Sequence, residues 1–314
     1  MSWSTLLLPS LPPTLADFER RGFRTTPGSA RATLESAAGA FLDGYRLERQ
    51  CRPGDVPDLS AVPPARRGFA AEGMAMAATL QDALLPLGVR RSAVLHDVFD
   101  DRYAYLLHVG AGWALAKLHR RHLGRTGARA PLLRWLAYDG MGFCQAFFAE
   151  KRGMRRWRQH RGDCATTCAI RYQGLGRALW FRVCSDPVAA AGEIAELPPR
   201  HHGDAWSGVA LAATYAGGVG QRAYAQLRDL AAGHRAALAQ GSAFAAEACR
   251  LAGHTPPHAV VAAEVLTGGS PERAAEWTWV ARRGLDGPAA GPDRYEIWRE
   301  RIRELAATAV GRVA

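Results

Sequence analysis

The chain has 314 residues, 48% of them hydrophobic, and a formal charge of +11 that comes almost wholly from arginine, Lys117 and Lys151 being its only lysines. This composition excludes a disordered chain and supplies enough apolar side chains for a substantial core. No apolar run reaches the roughly 18 residues of a membrane span, and the opening M-S-W-S-T-L-L-L-P lacks a basic leader, so a cytosolic protein is expected.

Residues 1–28, broken by Pro9, Pro12, Pro13 and Pro27, read as an extended arm, and 29–314 as one helical domain. The spacing of Leu34, Phe41, Leu42 and Tyr45 predicts a first helix over about 29–49, ended by the Pro- and Gly-rich stretch after Cys51. Further helices are predicted over 131–150, 204–215, 221–232, 257–266 and 293–310. Pro257 suits a first helical turn, and Gly268 with Gly269 suits a helix exit. Strand patterning is confined to A-I-R-Y and L-W-F-R-V-C, and the second continues a helical pattern from Gly176. The fold class is all-α.

His108 to Ala116 reads H-V-G-A-G-W-A-L-A, which poses the question of a phosphate cradle. A dinucleotide fingerprint needs a third glycine where Leu115 stands and a preceding strand, and it has neither. The pattern instead recurs along the chain as E-G-M-A, D-G-M-G, Q-G-L-G, S-G-V-A and Q-G-S-A. Its leading glycines, Gly73, Gly110, Gly140, Gly174, Gly208 and Gly241, are separated by 37, 30, 34, 34 and 33 residues. That period fits degenerate helix-pair repeats forming a compact superhelical or solenoid-like domain. In such arrays small residues let helices approach closely, so these are read as packing glycines.

Polar residues precede most of these glycines: Glu72, Asp139, Gln173, Ser207 and Gln240. Stacked repeats would align them along an inner groove, together with His108, Tyr138 and Trp206. The competing explanation for Asp139 and Ser207 is N-capping. A carboxylate in an apolar groove has a raised pKa and can act as a general acid or base. The candidate acid–base residues are therefore Glu72, His108 and Asp139, and the candidate substrate contacts are Trp113, Tyr138, Phe143, Arg177, Trp206 and Gln240.

Other constellations are weaker. His96, Asp97, Asp100 and Asp101 have helical spacing for a divalent metal, but they also read as an acidic solvated turn, and no metal site is assigned. Cys164 and Cys168 are four apart and read as buried free thiols. A G-x-S-x-G nucleophile elbow is absent. The basic segments 117–129 and 151–161 read either as a solvated face or as a docking surface for an acidic partner. No nucleic-acid-binding motif accompanies them, so nucleic acid is not an expected partner.

The ordered set R-G-F-A-A-E-G-M-A-M-A, H-V-G-A-G-W-A-L-A, L-L-R-W-L-A-Y-D-G-M-G-F, Q-G-L-G-R-A-L-W-F, W-S-G-V-A-L-A-A-T-Y-A-G-G and L-A-Q-G-S-A-F-A-A-E-A resembles a family long labelled a domain of unknown function. Its members are encoded in actinobacterial gene clusters for enediyne polyketides, and the resemblance spans about residues 18–302. It implies participation in converting the linear polyene made by the polyketide synthase into the enediyne core. Implied partners are that synthase or an acidic carrier protein, and a membrane-bound electron-transfer protein of the pathway. Cofactor identity stays open. Cys144 stands where relatives are expected to carry histidine. An oxidative tailoring enzyme, or a subunit of one, is one reading; a non-catalytic helical-repeat adaptor is the other.

Overall fold

The computed structural model describes residues 8–25, 28–52, 54–84, 90–119, 131–160, 166–287 and 290–310, and no strand occurs among them. The chain is all-α. In chain order the helices are α1 (Ser29–Gln50), α2 (Arg67–Leu84), α3 (Arg91–Lys117), α4 (Leu136–Phe147), α5 (Lys151–Arg158), α6 (Thr166–Arg182), α7 (Pro187–Ala195), α8 (His202–Ala216), α9 (Gln221–Leu230), α10 (Arg235–Leu251), α11 (Pro257–Thr267), α12 (Pro271–Arg282) and α13 (Pro292–Val310). Both stretches with strand patterning fall in or at the end of α6, because their apolar residues complete a helical face. Gly268 adopts φ 75° and closes α11, the left-handed conformation that glycine supplies without steric cost. Helix α3 carries a break at Tyr103, where φ is −131° and ψ 21°.

Seven helices form the core: α1, α2, α3, α4, α6, α8 and α10 pack each on the next. The repeat glycines sit at these contacts. A Cβ on Gly112 would overlap the Ala137 carbonyl of α4, and one on Gly140 would overlap the Val109 carbonyl of α3. The same reciprocal arrangement joins α4 to α6 through Gly142 and Gly174, and α6 to α8 through Gly176 and Gly208. Gly73 and Gly44 do so between α2 and α1, while Gly110 meets the Glu72 carbonyl and Gly241 the Ser207 carbonyl. Each glycine lowers intrinsic helix stability by about 1 kcal/mol relative to alanine. Backbones close enough for Cα–H···O contacts, and the apolar area buried beside them, offset that cost.

Helix α10 also touches α3, so the stack curls back on itself instead of extending as an open solenoid. Helices α11, α12 and α13 cover α10. The described part of the arm is not free either. It forms a 3-10 turn at Pro13–Ala16, and its Phe18 and Phe23 are buried. Tyr45 Oη donates to the Pro9 carbonyl at 3.0 Å, and Arg49 Nε to the Leu8 carbonyl at 3.0 Å. Residues 1–7 and 26–27 of the arm lie outside the described residues. Among the described residues no helix is long and apolar enough to cross a membrane.

Candidate functional site

Helical geometry decides which residues meet at the centre of the stack. Successive residues turn by 100°, so positions four apart share a face whereas neighbours do not. Glu72, Asp139, Gln173, Ser207 and Gln240 each stand one position before a packing glycine, and all five are buried. Four residues further along the same faces come Met76 on α2, Phe143 on α4 and Arg177 on α6; Trp113 stands four after Val109 on α3.

These side chains form one connected polar network. Trp113 Nε1 donates to Glu72 Oε1 at 2.8 Å. The guanidinium of Arg177 lies 3.6 Å from the same oxygen through Nη2, and its Nη1 donates to Asp139 Oδ1. Gln173 Nε2 donates to Asp139 Oδ2 at 2.8 Å. Ser207 Oγ reaches both Gln173 Oε1, at 3.2 Å, and Gln240 Oε1, at 3.0 Å. Asp139 and Ser207 lie inside α4 and α8, so they link helices across the core and are not N-caps.

One end of this network opens into a cleft of about 180 Å³. Its walls are aromatic and aliphatic, with Phe41, Phe69, Phe143, Phe147 and Phe181 among them. Phe41 and Phe143 flank the Trp113 ring at centroid distances of 4.4 and 5.0 Å, and Phe143 stacks on Phe147 at 5.4 Å. Leu11 and Leu15 of the arm complete the lining, while Lys117 lies 4.0 Å from the Phe148 ring centroid. Glu72, Arg177 and Lys117 are the charged groups among the lining residues.

Burial pushes the Glu72 carboxyl above the ordinary range, and the nearby Asp139 charge pushes the same way; Arg177 and the Trp113 hydrogen bond oppose it without prevailing. Burial works against the Arg177 charge, but the two carboxylates outweigh it and hold the guanidinium firmly protonated. One guanidinium thus faces two carboxyls, and a proton on Glu72 makes the cluster electrically neutral. The arrangement offers a carboxyl that holds its proton more tightly than usual, an indole N–H bonded to it, and an apolar slot.

Of the candidates from the sequence, Glu72, Trp113, Phe143 and Arg177 line the cleft, while Asp139 and Gln240 belong to the buried network behind it. His108, Tyr138 and Trp206 are not among the cleft's lining residues. All three stand two positions before a glycine, one residue earlier than the network positions, and so point elsewhere. His108 packs against His96 with ring centroids 4.9 Å apart, and Tyr138 stacks on Trp135 at 5.7 Å. The expected open groove is therefore a closed polar core with one accessible end.

The acidic stretch around His96 lies within α3, not in a turn, and the side chain of Asp100 lies outside the described residues. No group of three His, Cys, Asp or Glu able to hold a metal occurs among the described residues. Cys144 is buried, and burial pushes its thiol up to about 12. Cys164, residues 120–129 and Arg161 lie outside the described residues. Leu11, Leu15 and Phe181 were missed from sequence because nothing in a short apolar stretch tells which wall it will join.

Residues 4–306 match the model of a family described as proteins of unknown function, DUF1702. The chain belongs to the DUF1702 family. Neither a curated protein nor a solved structure matches it significantly. The family match spans the arm as well as the helical stack, so the arm that walls the cleft is part of the family's common extent.

Proposed function

We propose that this DUF1702 protein binds a slender, apolar, conjugated molecule in the aromatic cleft, and that the ligand is the linear polyene of an enediyne polyketide pathway. The observation that carries the reading is the column of Phe41, Trp113, Phe143 and Phe147 rings ending on a buried Glu72 carboxyl. Small-molecule sites are typically apolar concavities with a few convergent polar groups. A narrow slot favours an extended chain over a bulky ring system, and flat rings offer a conjugated chain extensive dispersion contact. Glu72, whose proton affinity burial raises, is placed to pass a proton to or from the bound chain. The oxidant for conversion to the enediyne core comes from a partner, consistent with the membrane electron-transfer protein implied by the sequence resemblance. Incubating the polyene with its pathway neighbours and either wild-type protein or Glu72→Gln, followed by mass spectrometry, tests this. Loss of core formation with a folded variant supports the role of Glu72; unchanged conversion removes it.

The adaptor reading draws on a different observation. Helix α5 buries Met154 and leaves Lys151, Arg152, Arg155 and Arg156 exposed. If the protein serves as a platform for an acidic carrier protein or synthase, Arg155→Glu with Arg156→Glu abolishes a salt-sensitive association while Glu72→Gln is silent.

A further inference from the structure

Two hollows of about 470 and 430 Å³ adjoin where the end of α3 meets α4, α5 and α6, and they share His119, Gln145 and Arg171. Neither belongs to the aromatic cleft. Arg156 and His160 add positive or protonatable groups to the second hollow. No carboxylate is found among the described residues lining either one.

Arg171 is the informative residue. The three buried arginines among the described residues meet carboxylates: Arg91 meets Glu48, Arg177 meets Asp139, and Arg299 meets Asp204 and Glu296. Arg171 is half-buried, and half-buried arginines such as Arg66 and Arg182 are held by backbone carbonyls. Arg171 has no carboxylate partner among the described residues. Its Nη2 donates to the neutral Gln145 Oε1 at 2.7 Å, and its guanidinium lies over the Trp157 ring at 5.1 Å. Its Nε is buried without a hydrogen-bond partner. The indole face and the amide hold the guanidinium in place without neutralising it, which is a preorganised anion receptor.

The surroundings reinforce the positive character. Cys168 Sγ lies 3.9 Å from His160 Nε2, and Arg200 Nη2 donates to the His160 carbonyl at 3.0 Å. Burial and the nearby charges of Arg200, His201 and Arg171 lower the His160 pKa. A bound dianion opposes those positive neighbours and raises the proton affinity of the ring.

We propose that this pair of hollows binds an organic phosphate ester, its phosphate held by Arg171 and Arg156 beside His160, its organic part lying along Tyr138, Met141 and Leu115. A phosphate monoester has three terminal oxygens to share among several donors, whereas a carboxylate has two. The combined space exceeds what an inorganic phosphate fills, and Leu115, Tyr138 and Met141 give the otherwise polar first hollow an apolar strip for an organic part.

The full-length protein is titrated calorimetrically with inorganic phosphate, phenyl phosphate and acetate at constant ionic strength. The His160 imidazole is followed by NMR in parallel. Phenyl phosphate is expected to bind more tightly than inorganic phosphate, acetate least, and the His160 pKa to rise on saturation. Arg171→Gln is expected to weaken phenyl phosphate binding by at least about tenfold, the loss of a charge-assisted pair. Arg156→Gln, at an exposed position where folding is not at stake, is expected to weaken it several-fold. Phosphate binding unchanged by both substitutions, equal affinity for acetate, or no binding of either phosphate overturns the proposal. Inorganic phosphate binding as tightly as phenyl phosphate overturns the assignment of an organic ligand.

Discussion

Trp113 Nε1 and Glu72 Oε1 meet at 2.8 Å across the α2–α3 contact, with the indole facing the cleft and the carboxyl at its floor. This pair couples the polar core to the apolar slot, because Glu72 also faces Arg177. Its protonation state is therefore the first property to measure. The folded-state pKa of Glu72 lies above its unfolded value of about 4.3. The folded state then holds the proton more tightly than the unfolded chain, so this contribution to stability is whole below the unfolded pKa. It is lost progressively as pH rises through the raised folded value. Glu48, raised by burial against Arg91, acts in the same sense, so wild type alone does not isolate Glu72. The stability difference between wild type and Glu72→Gln does: wild type is expected to lose ground to the variant as pH rises above about 4. Denaturant curves across that range provide the check, and parallel pH profiles for the two proteins would show that folding does not raise the Glu72 pKa.

Arg177→Met removes the one guanidinium that compensates Asp139 and Glu72. Breaking a buried pair by removing one partner costs about 3–5 kcal/mol, since a carboxylate is left uncompensated. Urea denaturation is expected to show a loss of that order at neutral pH and a smaller one in acid, where the orphaned carboxyls accept protons. A loss below about 1 kcal/mol would place Arg177 among exposed pairs of little energetic weight.

Gly112→Leu tests the helix contacts themselves. A side chain there collides with the Ala137 backbone, and a carbonyl cannot swing aside as a flexible side chain can. Overpacking of this kind costs about 1–3 kcal/mol or more, so a clear fall in Tm is expected. Gly192→Leu, where an added Cβ meets nothing within 4 Å, serves as the control. Equal melting temperatures for the two variants would dissociate Gly112 from close packing.

The glycines made the fold legible because a helix contact closed to backbone distance tolerates only the smallest residue, which leaves a mark in the sequence at a period near that of a helix pair. The polar network was legible for the same reason: Glu72, Asp139, Gln173, Ser207 and Gln240 all ride one position before such glycines. His108, Tyr138 and Trp206 were grouped with them although one further residue back rotates a side chain by 100°, out of the network. Asp139 and Ser207 invite an N-cap reading because a polar residue before an apolar run marks both helix starts and interior polar links. The cleft itself was not legible. Its far wall comes from Leu11 and Leu15, held by hydrogen bonds from Tyr45 and Arg49 to backbone carbonyls of the arm, and no periodicity announces such docking.

The central claim is that the aromatic cleft takes up a linear conjugated chain, and a polyene titration followed by polyene absorbance tests it most directly. Wild-type protein is expected to give a saturable red shift with sharpened vibronic structure, as the chain leaves water and is held extended between the rings of Phe41, Trp113, Phe143 and Phe147. Ala38→Trp, which fills the slot from the half-buried α1 side of its wall, is expected to abolish the shift in a protein that still unfolds cooperatively. A saturable shift identical in both proteins would place the polyene elsewhere on the molecule, and the absence of any shift with wild type would contradict the account.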